Sequence, residues 1–268
     1  MVKRIIFFDI DGTLIDVPRG LSEPSSLTKY AIKELMDNGN LVFIASGRFK
    51  GNIPTVIKDL NPSGYILSNG AYAEYQGSVI YEKGFDSKIF DELAKYCEEH
   101  NCLFTGETQE YIYSPKYSDK FKDYIKKWNL GFVKVTDKKS DNTFYKCCAF
   151  FDNLESAKQF EKEFDGVFDY RAQTADPDRL SYDINILGTS KGNAVNEVIS
   201  KLNIDKENTY CFCDGTNDIE LVKAVKNSYV VSNGDEGLKK IAYGVIGDAI
   251  EDGVYHKLVE LGLIKEKH

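Results

Sequence analysis

Residues 5–14 read Ile5-Ile6-Phe7-Phe8-Asp9-Ile10-Asp11-Gly12-Thr13-Leu14. An uninterrupted apolar run closed by two acids and a glycine is the pattern of a short strand buried on both faces, as in a parallel sheet covered by helices. The run recurs at Leu41–Ala45 and, more briefly, at residues 65–67. Between the first two, residues 26–38 carry Leu27, Ala31 and Leu35 at four-residue spacing and stop at Gly39, which predicts an amphipathic helix. The alternation returns near the C-terminus. Residues 191–202 place Ala194, Val195, Val198, Ile199 and Leu202 on one helical face, and apolar runs follow at 210–213, 229–231 and Gly244–Ile246. Continuous apolar strands separated by amphipathic helices predict an α/β fold with a doubly wound, mostly parallel sheet.

Residues 84–186 differ in texture. Helices are predicted at 87–100, 118–128 and 154–164, with alternating strand candidates at 110–113 and 144–151, and most of the Tyr and Phe that raise the aromatic content to 13% lie here. This predicts an α+β module inserted into the α/β domain, with a core of residues 1–83 and 187–268 and an insert of residues 84–186. The crossings fall near Lys83-Gly84-Phe85 and Leu187-Gly188.

The 268 residues are 42% hydrophobic and 28% charged, a globular composition. With 34 Lys plus Arg against 42 Asp plus Glu, the formal charge is -8, so no nucleic-acid partner is expected. An acidic protein can still hold one small basic pocket for an anionic ligand. The first apolar run already contains Asp9 and is too short for a signal-peptide core or a membrane span, so a cytoplasmic protein with no membrane association is expected. Cys97, Cys102, Cys147, Cys148, Cys211 and Cys213 are too few for a disulfide scaffold and lack C-x-x-C spacing, which predicts reduced thiols and no zinc. A monomer or weak homo-oligomer is expected.

The chemistry gathers at predicted strand ends. Residues two apart on a strand project to the same side, so Asp9 and Asp11 present two carboxylates at the carboxyl edge of the sheet, where open α/β sheets bind ligands. Two carboxylates held together ask for a cation or for work as an acid and base. An EF-hand loop would need other residues where Thr13, Leu14 and Gly20 stand, so calcium of that type is excluded. The second strand ends in Ser46-Gly47-Arg48, and the third in Ser68-Asn69-Gly70-Ala71, both suited to a phosphate. Lys191 stands in the first turn of its helix, against the dipole, a local violation of the kind that marks functional sites. Asp214 follows another strand in Cys213-Asp214-Gly215-Thr216-Asn217-Asp218, where Asn217 or Asp218 is expected to cap the next helix. Three carboxylates, a lysine and a hydroxyl converging on one edge predict a magnesium and phosphate site.

Taken in order, Phe7 to Leu14, Ala45-Ser46-Gly47-Arg48, Ser68-Asn69-Gly70-Ala71, Ser190-Lys191-Gly192 and Asp214-Gly215-Thr216-Asn217-Asp218 resemble the motifs of the haloacid dehalogenase-like phosphatases, and within them the Cof-type hydrolases. Glu251-Asp252-Gly253-Val254 is similar to the family's closing segment. Cys213 departs from the glycine usual there, and Ser232-Asn233-Gly234 only approximates the family's glycine-asparagine-alanine turn.

The resemblance implies a phosphatase in which Asp9 is the nucleophile and forms an aspartyl-phosphate, while Asp11 protonates the leaving group and then activates water. It implies Mg2+ held by Asp9, the backbone carbonyl of Asp11 and Asp214, with Asn217 and Asp218 supporting the metal and Lys191. Lys191 is both catalytic and a phosphate ligand, and the remaining phosphate-binding set is Thr13, Ser46, Gly47, Arg48, Asn69 and Asn217. The insert corresponds to a cap that selects a small phosphorylated metabolite, a sugar phosphate or a phosphorylated cofactor. Its polar groups Glu107, Glu110, Tyr111, Tyr113, Asp176, Asp178 and Arg179 are more simply read as loop and strand residues than as ligands. A phosphomutase sharing the intermediate, and a non-catalytic phosphate-binding protein, are the alternatives.

Overall fold

The computed structural model describes residues 3–128, 130–139, 142–172 and 180–267. Two compact units emerge: one of residues 1–47, 53–82 and 190–268, the other of residues 48–52 and 83–189. The chain opens with β1 (Ile5–Phe8), α1 (Ser26–Asp37), β2 (Leu41–Ala45), α2 (Thr55–Lys58), β3 (Gly64–Leu67), β4 (Tyr72–Tyr75) and β5 (Ser78–Glu82). The second unit follows with α3 (Ser87–Glu99), β6 (Leu103–Glu107), β7 (Tyr111–Tyr113), α4 (Asp119–Lys127), β8 (Lys134–Thr136), β9 (Lys146–Phe150), α5 (Leu154–Glu163), β10 (Phe168–Ala172) and β11 (Ser181–Ile186). The first unit is completed by α6 (Lys191–Lys201), β12 (Thr209–Cys213), α7 (Ile219–Ala224), β13 (Asn227–Val231), α8 (Glu236–Ile241), β14 (Gly244–Ile246) and α9 (Gly253–Glu260).

Among the described residues the first unit holds an eight-stranded sheet in the order β14-β13-β12-β1-β2-β3-β4-β5. Pairing is parallel from β14 to β3 and antiparallel from β3 to β5. The central strand β1 is buried throughout, between β12 (Phe8 opposite Phe212) and β2 (Phe8 opposite Ile44). Alternation sends Ile5 and Phe7 into a core with Phe43, Val195, Val198, Cys211 and Leu221. Phe8 points the other way and stacks on Phe212 at 5.1 Å. Because these strands run in parallel register, their carboxyl ends lie side by side, and the residues following β1, β2, β3 and β12 emerge along one edge. Helix α1 starts where the Ser25 hydroxyl accepts the Thr28 N–H at 3.0 Å and stops before Gly39, whose φ is 80°.

The second unit's sheet has the order β10-β11-β9-β6-β7-β8 and is antiparallel except for β7 with β8. Phe90 and Leu93 of α3, with Ala157 and Phe160 of α5, pack on Phe104, Cys147, Ala149 and Ile184. A second cluster joins Phe121 and Tyr124 of α4 to Leu103 and Ile112. Phe49 belongs to this second cluster, and the Gly51 N–H donates to the Gln109 carbonyl at 2.8 Å, so residues 48–52 pack with the insert, outside the boundaries read from sequence. Among the described residues no helix is long and apolar enough to cross a membrane.

Candidate active site

Strand β1 ends at Phe8, one residue short of Asp9, yet Asp9 stays fixed because its N–H donates to the Phe212 carbonyl at 2.9 Å. Its side chain is almost wholly buried while Asp11, beyond it, is exposed. The loop between them folds back as the Leu14 and Ile15 N–H groups donate to the Ile10 carbonyl at 2.9 and 3.0 Å. Gly12 makes the turn with φ 81°, and a Cβ placed on it would collide with Asp214 Oδ2. The third carboxylate of the site is therefore seated against glycine backbone, a contact that composition and spacing did not reveal.

Lys191 opens α6, whose N-cap Ser190 accepts the Asn193 N–H at 3.1 Å. Its ammonium is fully buried, 2.6 Å from Asp9 Oδ1 and 2.7 Å from Asp218 Oδ1. Two charge-assisted bonds outweigh an unfavourable position at the helix start, worth at most about 1 kcal/mol. The start of α6 is itself positioned by the turn after β3. Ser68 and Asn69 have φ of 52° and 54° and Gly70 has φ 92°, three consecutive left-handed residues. A Cβ on Gly70 would collide with the Ser190 carbonyl. Backbone strain of this kind concentrates at functional sites, and here it lets the turn press against the residue before Lys191.

Asp218 is the correction to the capping expectation. It lies in a single 3-10 turn, Thr216–Asp218, ahead of α7, and gives that helix no side-chain cap. Its Oδ1 takes Lys191 and its Oδ2 accepts the Gly215 N–H at 3.1 Å. Asp214 follows β12, and its carbonyl accepts the Asp235 N–H at 2.8 Å, which anchors the turn that includes Ser232, Asn233 and Gly234. Arg19 pairs with Asp248 at 2.7 Å, and Asp248 in turn accepts the Glu251 N–H on Oδ1 at 3.1 Å and the Gly253 N–H on its carbonyl at 3.0 Å, which ties in the closing segment.

Asp9, Asp214 and Asp218 bring carboxylate oxygens within 4.8 Å of one another. Burial raises the Asp9 carboxyl well above the usual range; Lys191 draws it down, and Asp218, Asp214 and Asp11 push it up again. Burial, with Asp218 nearby, pushes Asp214 up to about 7 against the pull of Lys191. Burial alone would lower the Lys191 ammonium, but Asp218 and Asp9 hold it above its ordinary value. Three carboxylates thus share one ammonium, and negative charge is in excess. The donors are all hard oxygens, which suits a divalent cation such as magnesium. Asp9, Asp214 and Asp218 each offer a carboxylate oxygen to such a cation.

Ser46 and Thr13 are buried at this edge. The Ser46 N–H donates to the Ile66 carbonyl at 2.8 Å, and its carbonyl accepts the Asn69 N–H at 3.3 Å. Thr13 Oγ1 has no hydrogen-bond partner among the described residues. Gly47 faces Asn69 closely: a Cβ there would lie 2.7 Å from Asn69 Oδ1. Asn217 is half-buried beside Gly215. Arg48 falls in the second unit, where its Nη1 donates to the Asn52 carbonyl at 3.1 Å. In that unit Tyr111 and Tyr113 are core residues, Glu107 pairs with Lys146 at 3.2 Å, and Glu110 is exposed. Asp176, Asp178 and Arg179 lie outside the described residues.

The fold and the acidic cluster carry the family pattern, and residues 6–258 match the haloacid dehalogenase-like hydrolases. YkrA of Bacillus subtilis (strain 168) is 30% identical over 274 residues, covering 99% of this chain and all of YkrA. The 5-amino-6-(5-phospho-D-ribitylamino)uracil phosphatase YcsE of the same organism is 24% identical over 259 residues, 94% of this chain and 92% of its own. The solved structure of the subclass IIB sugar phosphatase BT4131 superposes with a TM-score of 0.80 at 24% identity, covering 98% of this chain and 100% of the other. The chain therefore belongs to the haloacid dehalogenase-like hydrolase family. It is an enzyme of the family's phosphatase branch.

Proposed function

We propose that this enzyme is a magnesium-dependent phosphatase that hydrolyses a small phosphorylated metabolite, a sugar phosphate or a phosphorylated cofactor, through an aspartyl-phosphate on Asp9. The observation that carries this reading is the buried Lys191 ammonium bridging Asp9 and Asp218 at 2.6 and 2.7 Å. An anionic nucleophile and an anionic substrate repel, and a fixed cation at the attacking oxygen offsets that repulsion where water cannot. Asp218 keeps Lys191 aimed. Asp9 Oδ forms the new bond to phosphorus as the bond to the leaving oxygen breaks, and Asp11 gives its proton to that oxygen. In the second step Asp11 takes a proton from water, which attacks phosphorus and releases Asp9.

Magnesium would be held by Asp9, the Asp11 carbonyl and Asp214, and when bound it supplies positive charge to the nucleophile and the phosphoryl oxygens. The buried hydroxyls of Thr13 and Ser46, with Gly47, Asn69 and Asn217, complete the phosphate-binding set. Choice of leaving group is assigned to residues 84–186. The names of BT4131, a sugar phosphatase, and YcsE, which acts on a phosphorylated ribityl compound, support a polyhydroxylated substrate. The test is a panel of sugar phosphates and phosphorylated cofactors assayed for inorganic phosphate with magnesium and with chelator. Release from at least one class, dependent on magnesium, is expected; equal release in chelator, or none from any compound, would overturn the reading.

A further inference from the structure

Helix α3 ends in a Schellman motif. His100 caps it, Asn101 turns left-handed at φ 53°, the Cys102 N–H donates to the Cys97 carbonyl at 2.8 Å, and the Asn101 N–H donates to the Glu98 carbonyl at 3.2 Å. This motif characteristically brings the side chains at its two ends, three residues before the cap and two after it, into contact. Here both are cysteines. Cys97 is fully buried beneath the helix, in the core with Phe90, Leu93 and Phe104, while Cys102 is partly exposed. Cys102 also lines a cleft of about 240 Å³ with Asn101, Ser114, Lys116, Ser118 and Lys120, which brings a small reagent to this residue, while its thiol contacts that of Cys97. Contact between the thiols raises Cys97 and lowers Cys102, and Lys120 also favours the Cys102 thiolate. The partly exposed thiol is thus the better nucleophile, and Cys97, in contact with it, is placed to attack the Cys102 sulfur in turn.

We infer that Cys97 and Cys102 form a redox-responsive modification site, oxidised to an intramolecular disulfide by a low-molecular-weight disulfide that enters the cleft. The Cys102 thiolate attacks one sulfur of that reagent, forming a mixed disulfide and expelling one thiolate. Cys97 then attacks the Cys102 sulfur, expelling the second. The protein loses two electrons, the small disulfide is reduced to two thiols, and the two cysteine protons pass to the departing thiolates. No other cysteine pair offers both features: Cys147, Cys148, Cys211 and Cys213 are all buried.

The two cysteines lie in one tryptic peptide, residues 96–116, which makes the test direct. The full chain is equilibrated with oxidised glutathione, free thiols are blocked with N-ethylmaleimide, and the digest is read by mass spectrometry. The expected product is peptide 96–116 lighter by two hydrogens and carrying neither label nor glutathione. In Cys97→Ala the same peptide is expected to keep a glutathione adduct, and in Cys102→Ser it is expected to stay reduced. A glutathione adduct that persists on Cys102 of the unsubstituted chain, or full labelling of both thiols, would overturn the inference; neither readout depends on the variants folding.

Discussion

Gly12 and Asp214 occupy one space: the turn after β1 can pass beside the Asp214 carboxylate only because residue 12 has no side chain. Gly12→Ala would both collide with Asp214 Oδ2 and force an alanine to φ 81°. A left-handed alanine costs about 1–2 kcal/mol, so denaturant unfolding is expected to show at least that loss. Magnesium affinity should fall with it, because the residue displaced is a proposed ligand. A variant with unchanged stability and unchanged magnesium dependence would break this link.

Lys191→Met leaves Asp9 and Asp218 buried without their common cation. Removing one partner of a buried ion pair costs about 3–5 kcal/mol, and turnover is expected to be abolished. Lys191→Arg should not restore it, since a planar fork does not fit a fully buried site shaped around one ammonium at 2.6 and 2.7 Å. Thermal melts and phosphate release on the two variants check both statements.

Asp218→Asn keeps the shape of the Lys191 cradle and removes its charge. If Asp218 positions Lys191 and does not react, kcat should drop about 10–100-fold, the range usual for supporting partners, with magnesium dependence retained. Complete loss of activity would instead place Asp218 among the reacting groups.

How much of this was legible from the residues depends on how local each signal is. The strands β1, β2, β12 and β13 are announced by continuous apolar runs, and Lys191 by its awkward place at a helix start. The β4–β5 hairpin was missed: Glu74 interrupts β4, and the short run Val79-Ile80-Tyr81 of β5 lies between Ser78 and Glu82 with no amphipathic helix beside it to mark it as part of the alternating pattern. Strand β10 was missed as well, although Phe168, Asp169 and Tyr170 alternate as a strand would. Phe49 looked like part of a core-domain turn, and only its long-range packing on Leu103 and Ile112 assigns residues 48–52 to the second unit. The seating of Asp214 on Gly12, and of Ser190 on Gly70, joins positions far apart in the chain, which periodicity cannot register. Asp218 makes the bond to Lys191 that the resemblance implies and not the helix cap that its local position suggested, because a buried ammonium competes strongly for a carboxylate.

The second unit carries its own pH signature. Burial pushes Glu107 up to about 6, against the pull of Lys146, from an ordinary value of 4.5. Between those values the folded chain binds more protons than the unfolded chain, so this group makes stability fall as pH rises from about 4.5 to 6. The difference in unfolding free energy between the parent and Glu107→Gln should change by about 2 kcal/mol across that window. A difference that stays flat with pH would contradict the burial argument.

The central claim is that Asp9 carries the phosphoryl group, and the most direct measurement is to trap it. The enzyme turning over p-nitrophenyl phosphate with magnesium is quenched in acid, and tryptic peptide 5–19, which contains Asp9, is examined by mass spectrometry. A phosphoryl group on Asp9, absent in chelator and in Asp9→Asn, is the predicted result. Phosphate release with no adduct on that peptide, together with full turnover by Asp9→Asn, would contradict it.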